Sequence, residues 1–229
     1  MEKLHNGFTL ELCDGAFPLS TDSIALSGFV RLPRHATVLD LGSGCGTLGM
    51  LLCASDSNCA VTGVEQDFQA HEMALHNAQT NGLSDRLSSI CGDLRTIPDW
   101  MTPGSYHCCV SNPPYFSAGP SSKTTPLARH TTMCSTEDLF RSAAWALRYG
   151  GDFFLVHKPD QLAQLCACAV SYKLEPKRVQ FLRHRPSDSI ALILLQCRKG
   201  ANPGLIIEEN CLRNPDGTPS DYYRRLYHI

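Results

Sequence analysis

No apolar run in the chain reaches the roughly 18 residues that a membrane-spanning helix needs; its apolar stretches are short and broken by charged or turn-forming residues. A membrane partner is therefore not expected. The opening residues, Met1-Glu2-Lys3-Leu4-His5, lack the basic stretch, apolar run and small-residue cleavage site of a secretion signal, so the cytoplasm is the expected compartment. Paired ligands at Cys-x-x-Cys or His-x-x-x-His spacing are missing too. The nearest approaches are Cys108-Cys109 and Cys166-x-Cys168, and no metal is expected. The 12 cysteines fall largely inside apolar runs, as Cys53, Cys91, Cys108 and Cys197 do, where a reduced thiol packs as a small hydrophobe.

What is present is an ordinary globular composition, 43% hydrophobic and 18% charged over 229 residues, enough for one large domain and a small appended segment. The net charge of −2 hides an asymmetry: 5 basic side chains face 12 acidic ones up to Asn112, and 15 face 10 after it. A basic second half suits a polyanion-binding surface, although solvated helix faces produce such imbalances without a partner.

From residue 36, runs rich in Val, Ile and Leu alternate with segments of helical spacing, the pattern of a parallel sheet covered by helices on both faces. Strands are predicted at Thr37–Leu41, Ala60–Glu65, Leu87–Cys91, His107–Ser111, Asp152–His157, Val179–Leu182 and Ile190–Gln196. Helices are predicted at Thr47–Ala54, Phe68–Asn81, Thr136–Tyr149 closed by Gly150-Gly151, and Pro159–Tyr172. The expected fold is α/β, a seven-stranded mostly parallel sheet with helices on both faces, spanning residues 36–200 between an N-terminal segment, 1–35, and a C-terminal tail, 201–229. Phe116 to Ser135, rich in Ser, Thr, Pro and Gly, is a candidate substrate-binding loop.

Three strand ends carry chemistry. Asp40-Leu41-Gly42-Ser43-Gly44-Cys45-Gly46 leaves the first strand, turns and opens a helix, which aims backbone N–H groups and a positive dipole at the carboxyl edge of the sheet. A dinucleotide fingerprint would need Gly or Ala where Thr47 stands. The turn instead resembles that of class I S-adenosylmethionine methyltransferases, a Rossmann-like fold, in which Gly42, Gly44 and Gly46 would admit the cofactor and Asp40 would face its methionyl end. Glu65 ends the second strand, where a carboxylate accepts from both ribose hydroxyls. The resemblance implies that Asp93, after the third strand, accepts from the adenine amine while Leu94 packs on the ring.

Asn112-Pro113-Pro114-Tyr115 follows the fourth strand and resembles the Asn-Pro-Pro-Tyr motif of amino-methyltransferases. An aryl amine is a poor nucleophile because its lone pair is delocalised into the ring. Acceptors that grip both N–H bonds favour a pyramidal nitrogen, and the Asn112 side-chain oxygen with the Pro113 carbonyl would supply them. Consecutive prolines fix the backbone and remove competing donors. Tyr115 would stack on the planar substrate and offset part of the cost of unstacking it.

The motif is shared by adenine methyltransferases, guanine-N2 methyltransferases of ribosomal RNA and enzymes that methylate a glutamine amide of release factors; a catalytically silent RNA-binding module is a further reading. Only about 35 residues precede the glycine turn, too few for the helical domain of the release-factor enzymes. With the opening segment Phe17-Pro18-Leu19-Ser20-Thr21-Asp22-Ser23-Ile24-Ala25-Leu26 and the run Ala128-Arg129-His130-Thr131-Thr132, the chain resembles the bacterial valine-tRNA adenine-37 N6-methyltransferase family. The resemblance implies S-adenosylmethionine as cofactor, tRNA as the RNA partner, Thr21 and Asp22 beside the cofactor, and Asn112 touching cofactor as well as substrate. Candidate RNA contacts are Tyr115, Phe116 and Arg129 in the loop and the cluster Lys177, Arg178, Arg183 and Arg185; a monomer is the expected state.

Overall fold

The computed structural model describes residues 2–4, 7–114 and 134–229. Two short antiparallel strands, β1 (Glu2–Lys3) and β2 (Thr9–Leu10), precede helix α1 (Thr21–Phe29). The alternating region then runs β3 (Thr37–Leu41), α2 (Thr47–Ser55), β4 (Ala60–Glu65), α3 (Phe68–Thr80), β5 (Leu87–Cys91), α4 (Ile97–Trp100) and β6 (Tyr106–Ser111). It continues with α5 (Thr136–Ala146), β7 (Leu147–His157), α6 (Leu162–Ser171), β8 (Leu174–Arg183), β9 (Ile190–Lys199), β10 (Ile206–Cys211) and α7 (Asp221–Tyr227).

The main sheet has eight strands rather than seven, in the order β10-β8-β9-β7-β6-β3-β4-β5, and β9 alone among them is antiparallel to its neighbours. The added strand is β10, inside the residues expected to form a tail. It pairs with the outer side of β8, Ile206 opposite Arg178 through Cys211 opposite Arg183. As an edge strand it leaves Ile206 and Ile207 in solvent, so it never shows the apolar run by which buried parallel strands are recognised.

The central strands of the sheet are buried on both faces. Phe153 and Phe154, consecutive on β7, point to opposite sides, as strand pleating demands. Phe154 meets Phe29 of α1 edge-on at 6.2 Å, and Phe153 meets Phe140 of α5 edge-on at 5.2 Å. Such pairs each add about 0.5–1.5 kcal/mol beyond the area they bury. Helices α1, α2 and α7 cover one face with the C-terminal end of α3, while α4, α5 and α6 cover the other. Cys53, Cys108 and Cys197 are buried as expected, whereas Cys91, at the end of edge strand β5, is exposed.

Two helix boundaries differ from the sequence reading by three residues: α6 begins at Leu162 because Pro159–Gln161 form a 3-10 turn, and α5 ends early. Helix α5 stops at Ala146, its cap Leu147 already extended, and Gly150-Gly151 lie within β7 instead of closing the helix. They absorb an irregularity in which the β6 partners jump from Leu147 to Asp152. A Cβ on Gly151 would fall 2.8 Å from the His107 carbonyl oxygen, so the bulge needs glycine there.

Candidate active site

Strands β3, β4, β5 and β6 end together at one edge of the sheet, in register: Asp40 lies opposite Gly63 and Val110, and Glu65 opposite Cys91. The Ser111 hydroxyl, fully buried, donates to the Leu41 carbonyl at 2.8 Å and so ties the turn after β6 to the turn after β3.

The glycine turn is held from below. Gly42 and Ser43 N–H groups donate to the Val64 carbonyl, and the Gly46 N–H to the Ser43 carbonyl. Gly42, Gly44 and Gly46 all have positive φ, and a Cβ on Gly42 or Gly44 would meet nothing within 4 Å, so open space lies over the turn. Gly63 is glycine for the opposite reason: a Cβ there would fall 2.4 Å from Ser43 Oγ. Ser43 Oγ and Asp40 Oδ2 are buried without a hydrogen-bond partner among the described residues. Orphaned buried polar atoms are costly, and at the mouth of a turn they mark where a polar ligand completes the site.

Asp40 is the electrostatic centre of the turn. It is 2% exposed, and its pKa is raised to about 7, first by burial and then by the nearby Glu65, against one backbone hydrogen bond from Gly49 that lowers it. Glu65 Oε2 accepts from Gly44 N–H and Oε1 from Asp67 N–H, each at 2.8 Å, which aims the carboxylate along the open side of the turn. Each oxygen keeps a lone pair for a ligand hydroxyl. Asp93 is more heavily engaged. Its carboxylate caps the following single turn of 3-10 helix and accepts from Arg95 Nε and Nη2, an ion pair that lowers its pKa. Leu94 is half-buried beside it and its carbonyl accepts from Ser142 Oγ at 2.7 Å.

The N-terminal segment forms a wall. Asn77 Oδ1 accepts from Glu11 N–H, and its Nδ2 donates to the carbonyls of Glu11 and Cys45. Asn81, just after α3, makes the same pair of bonds with Thr9. These clamps set Cys13 against the turn, its Sγ 3.5 Å from that of Cys45. A cleft of about 650 Å³ opens there, lined by Leu12, Cys13, Asp14, Phe68, Met73 and His76 among others. None of these was a sequence candidate.

Asn112 sits at the end of β6, half-buried, and its Nδ2 donates to Ser23 Oγ at 2.9 Å. Ser23 itself is 7% exposed, in the first turn of α1, where Ser20 caps the helix. Sequence reasoning did not single out Ser23, and no spacing rule links residues so far apart in the chain. Thr21 and Asp22 open the same helix, the Thr21 hydroxyl lying 3.3 Å from that of Tyr227. Pro113 is half-buried and Pro114 exposed, while Tyr115, Phe116 and Arg129 lie outside the described residues.

The basic cluster around β8 does not form one surface. Arg178 is 4% exposed: its guanidinium stacks 3.8 Å over Phe29, donates to the Phe29 carbonyl and lies near Glu208. Burial takes it out of reach of a phosphate. Lys177 lies in the half of β8 remote from the active edge and donates to the Asn202 carbonyl. Arg183 is paired with Glu209 and donates to the Asp188 carbonyl. Arg185 alone of the four is exposed at the active edge without a carboxylate partner among the described residues.

Residues 23–166 match the family model described as methyltransferase small domain. The chain is 30% identical over 217 residues to the tRNA1(Val) (adenine(37)-N6)-methyltransferase of Aeromonas hydrophila, covering 92% of this chain and 89% of that protein. Among solved structures, one described as a predicted O-methyltransferase from Agrobacterium tumefaciens superposes with a TM-score of 0.76 at 20% identity over 91% of this chain and 96% of that one. The cyclase SpnF superposes with a TM-score of 0.59 at 12% identity over 79% of this chain and 81% of that one. A shared fold that includes a cyclase leaves the chemistry to be argued from the site.

Proposed function

Because the chain belongs to the methyltransferase small domain family, we propose that it is an S-adenosylmethionine-dependent enzyme that methylates N6 of an adenine in tRNA, near the anticodon. The observation that carries the reading is the Asn112 amide, held by Ser23 at the strand end beside the glycine turn and followed by Pro113-Pro114. The relatives' substrate narrows the acceptor, and no described helix is long and apolar enough to cross a membrane.

The cofactor fits the residues present. The open cradle over Gly42 and Gly44, the orphaned Ser43 Oγ and Asp40 Oδ2, and the aimed Glu65 carboxylate would hold its methionyl and ribose parts. When bound, S-adenosylmethionine supplies an electrophilic methyl group. The chain supplies positioning. The bond from Nδ2 to Ser23 fixes the amide of Asn112, whose Oδ1 would act as an acceptor for the substrate amine. The Pro113 carbonyl is the second acceptor. Two hydrogen bonds from the amine pull its nitrogen towards a pyramidal shape and free the lone pair, and these bonds strengthen as positive charge develops. No histidine base is required, because the methylated amine is acidic and sheds a proton to water. The arrangement contributes orientation and electrostatics, the two terms that dominate when both reactants are bound.

Incubation with labelled S-adenosylmethionine and either bulk tRNA or release factor tests the reading. Label recovered as N6-methyladenosine supports it. Label in a glutamine amide, or in guanine, overturns it.

A further inference from the structure

The C-terminal helix α7 is fastened to α1 and β8 at three points. Leu226 packs onto Gly28 of α1 so closely that a Cβ there would fall 2.3 Å from Leu226 Cδ2. The Tyr222 hydroxyl accepts from Gln180 Nε2 at 2.6 Å, and the Tyr227 hydroxyl meets that of Thr21. Ser220 caps the helix and is itself anchored to the Cys211 carbonyl at the end of β10. Helix α1, on which α7 rests, is also the element that holds Asn112 through Ser23.

The outer side of α7 is aromatic and cationic. Tyr223 and Tyr227 stack with ring centroids 4.2 Å apart and planes 18° from parallel, and the Arg213 guanidinium lies 4.8 Å over Tyr223. Arg224 and Arg225 are exposed on the next positions. Arg185 reaches the same loop, its Nη2 3.7 Å from where a Cβ on Gly217 would stand. Among the described residues, none of Arg185, Arg213, Arg224 and Arg225 pairs with a carboxylate, whereas Arg178, Arg183 and Arg198 on the adjoining sheet all do. The sheet arginines are therefore neutralised within the fold, and the positive charge of this region is left on α7 and the loops beside it.

We propose that α7, with Arg213 and Arg185, is the surface that receives the RNA strand flanking the target nucleotide. The inference rests on the reading of the protein as an RNA methyltransferase. Planar guanidinium groups without a carboxylate partner suit phosphodiester oxygens, which they grip bidentately. Tyr223 is sandwiched between Arg213 and Tyr227, so the face of Tyr227 turned away from it is the one that suits an unpaired base, which stacks without regard to sequence. The three anchors fix this surface relative to Asn112, so a strand bound there is delivered in one orientation. Residues 213–227 with Arg185 thereby become the RNA-contacting element, in place of Lys177, Arg178 and Arg183 of the β8 cluster that the sequence suggested.

The test uses the full chain and unfractionated tRNA, with binding measured across a salt series and methyl transfer measured alongside. Each phosphate that is no longer neutralised shallows the dependence of log affinity on log salt by about 0.7–0.9. The variant R224A/R225A is expected to shallow the slope by about 1.5 and to weaken binding at least ~10-fold, while binding S-adenosylmethionine and melting as the parent does. Arg34→Ala, in the loop entering β3 at the other edge of the sheet, is expected to bind tRNA as the parent does. Curves for R224A/R225A that superimpose on those of a parent that binds and methylates tRNA would overturn the inference and leave the function standing. A parent that neither binds nor methylates tRNA would overturn the function itself.

Discussion

Asp40 makes a prediction that can be worked through from its surroundings. It is buried, its charged form is opposed by desolvation and by Glu65, and its pKa stands at about 7 against 3.8 for the unperturbed group. Between pH 4 and pH 7 the folded chain therefore holds a proton at Asp40 that the unfolded chain has lost. Stability falls with rising pH wherever the folded state binds more protons. The contribution is complete below the unfolded pKa and is lost as pH rises through the folded one, and the span corresponds to about 4 kcal/mol as an upper bound. Asp40→Asn keeps the shape and the acceptor for the Gly49 N–H but removes the titration. Urea unfolding of parent and variant is expected to give equal stability near pH 4 and a variant more stable by up to ~4 kcal/mol at pH 8. A cationic ligand group seated against Asp40 would favour its ionised form, so cofactor binding near pH 6.5 is expected to release up to one proton, read by calorimetry in two buffers of different ionisation enthalpy. Parallel pH profiles for parent and variant, with no proton released, would refute the reasoning.

Three further outcomes are expected. Asn112→Ala should leave S-adenosylmethionine affinity nearly unchanged and lower turnover at least ~100-fold, since its acceptor acts on the target amine; equal turnover in a label-transfer assay would remove it from the mechanism. Ser23→Ala should cost roughly 1–1.5 kcal/mol of orientation, about a 5–12-fold loss of kcat with the KM for cofactor unchanged, and an effect confined to thermal stability would make Ser23 a packing residue only. Glu65→Ala should weaken cofactor binding by about 1.5–3 kcal/mol in calorimetry, and unaltered affinity would show that the carboxylate serves only the Gly44 and Asp67 N–H groups.

The central strands β3 and β6 are legible in the sequence because they are buried on both faces and so read as short apolar runs, whereas edge strand β5, largely exposed, is marked by its place between a helix and the Gly92-Asp93 turn. The glycine turn is legible because a tight βα turn needs several positive φ values at once. What escapes has a physical reason in each case. Strand β10 carries Glu208 and Glu209 at its centre and exposes two isoleucines, so neither apolar continuity nor alternation marks it. The end of α5 is overrun because Gly150-Gly151 looks like a helix stop, and only the β6 partner shows that it is a bulge. Arg178 reads as a surface charge because nothing local reveals Phe29 beneath it. Ser23 and the Cys13 wall are tertiary neighbours of the site, invisible to any window along the chain.

The pair of asparagines on and after α3 imposes a constraint of length on the chain. Asn77 and Asn81 each grip both backbone groups of one residue, Glu11 and Thr9 respectively. Four residues of helix rise about 6 Å, and two residues of extended chain span about 6.6 Å, so the two repeats are commensurate over this distance. One residue inserted between Thr9 and Glu11 would turn the second grip to the wrong side of the strand, and one inserted in the last turn of α3 would rotate an asparagine by about 100° away from it. Length changes in this part of the protein are therefore confined to the stretches before Thr9 and after the contacts of Glu11. An insertion within the matched stretch would propagate through the bond from Asn77 to the Cys45 carbonyl into the glycine turn itself.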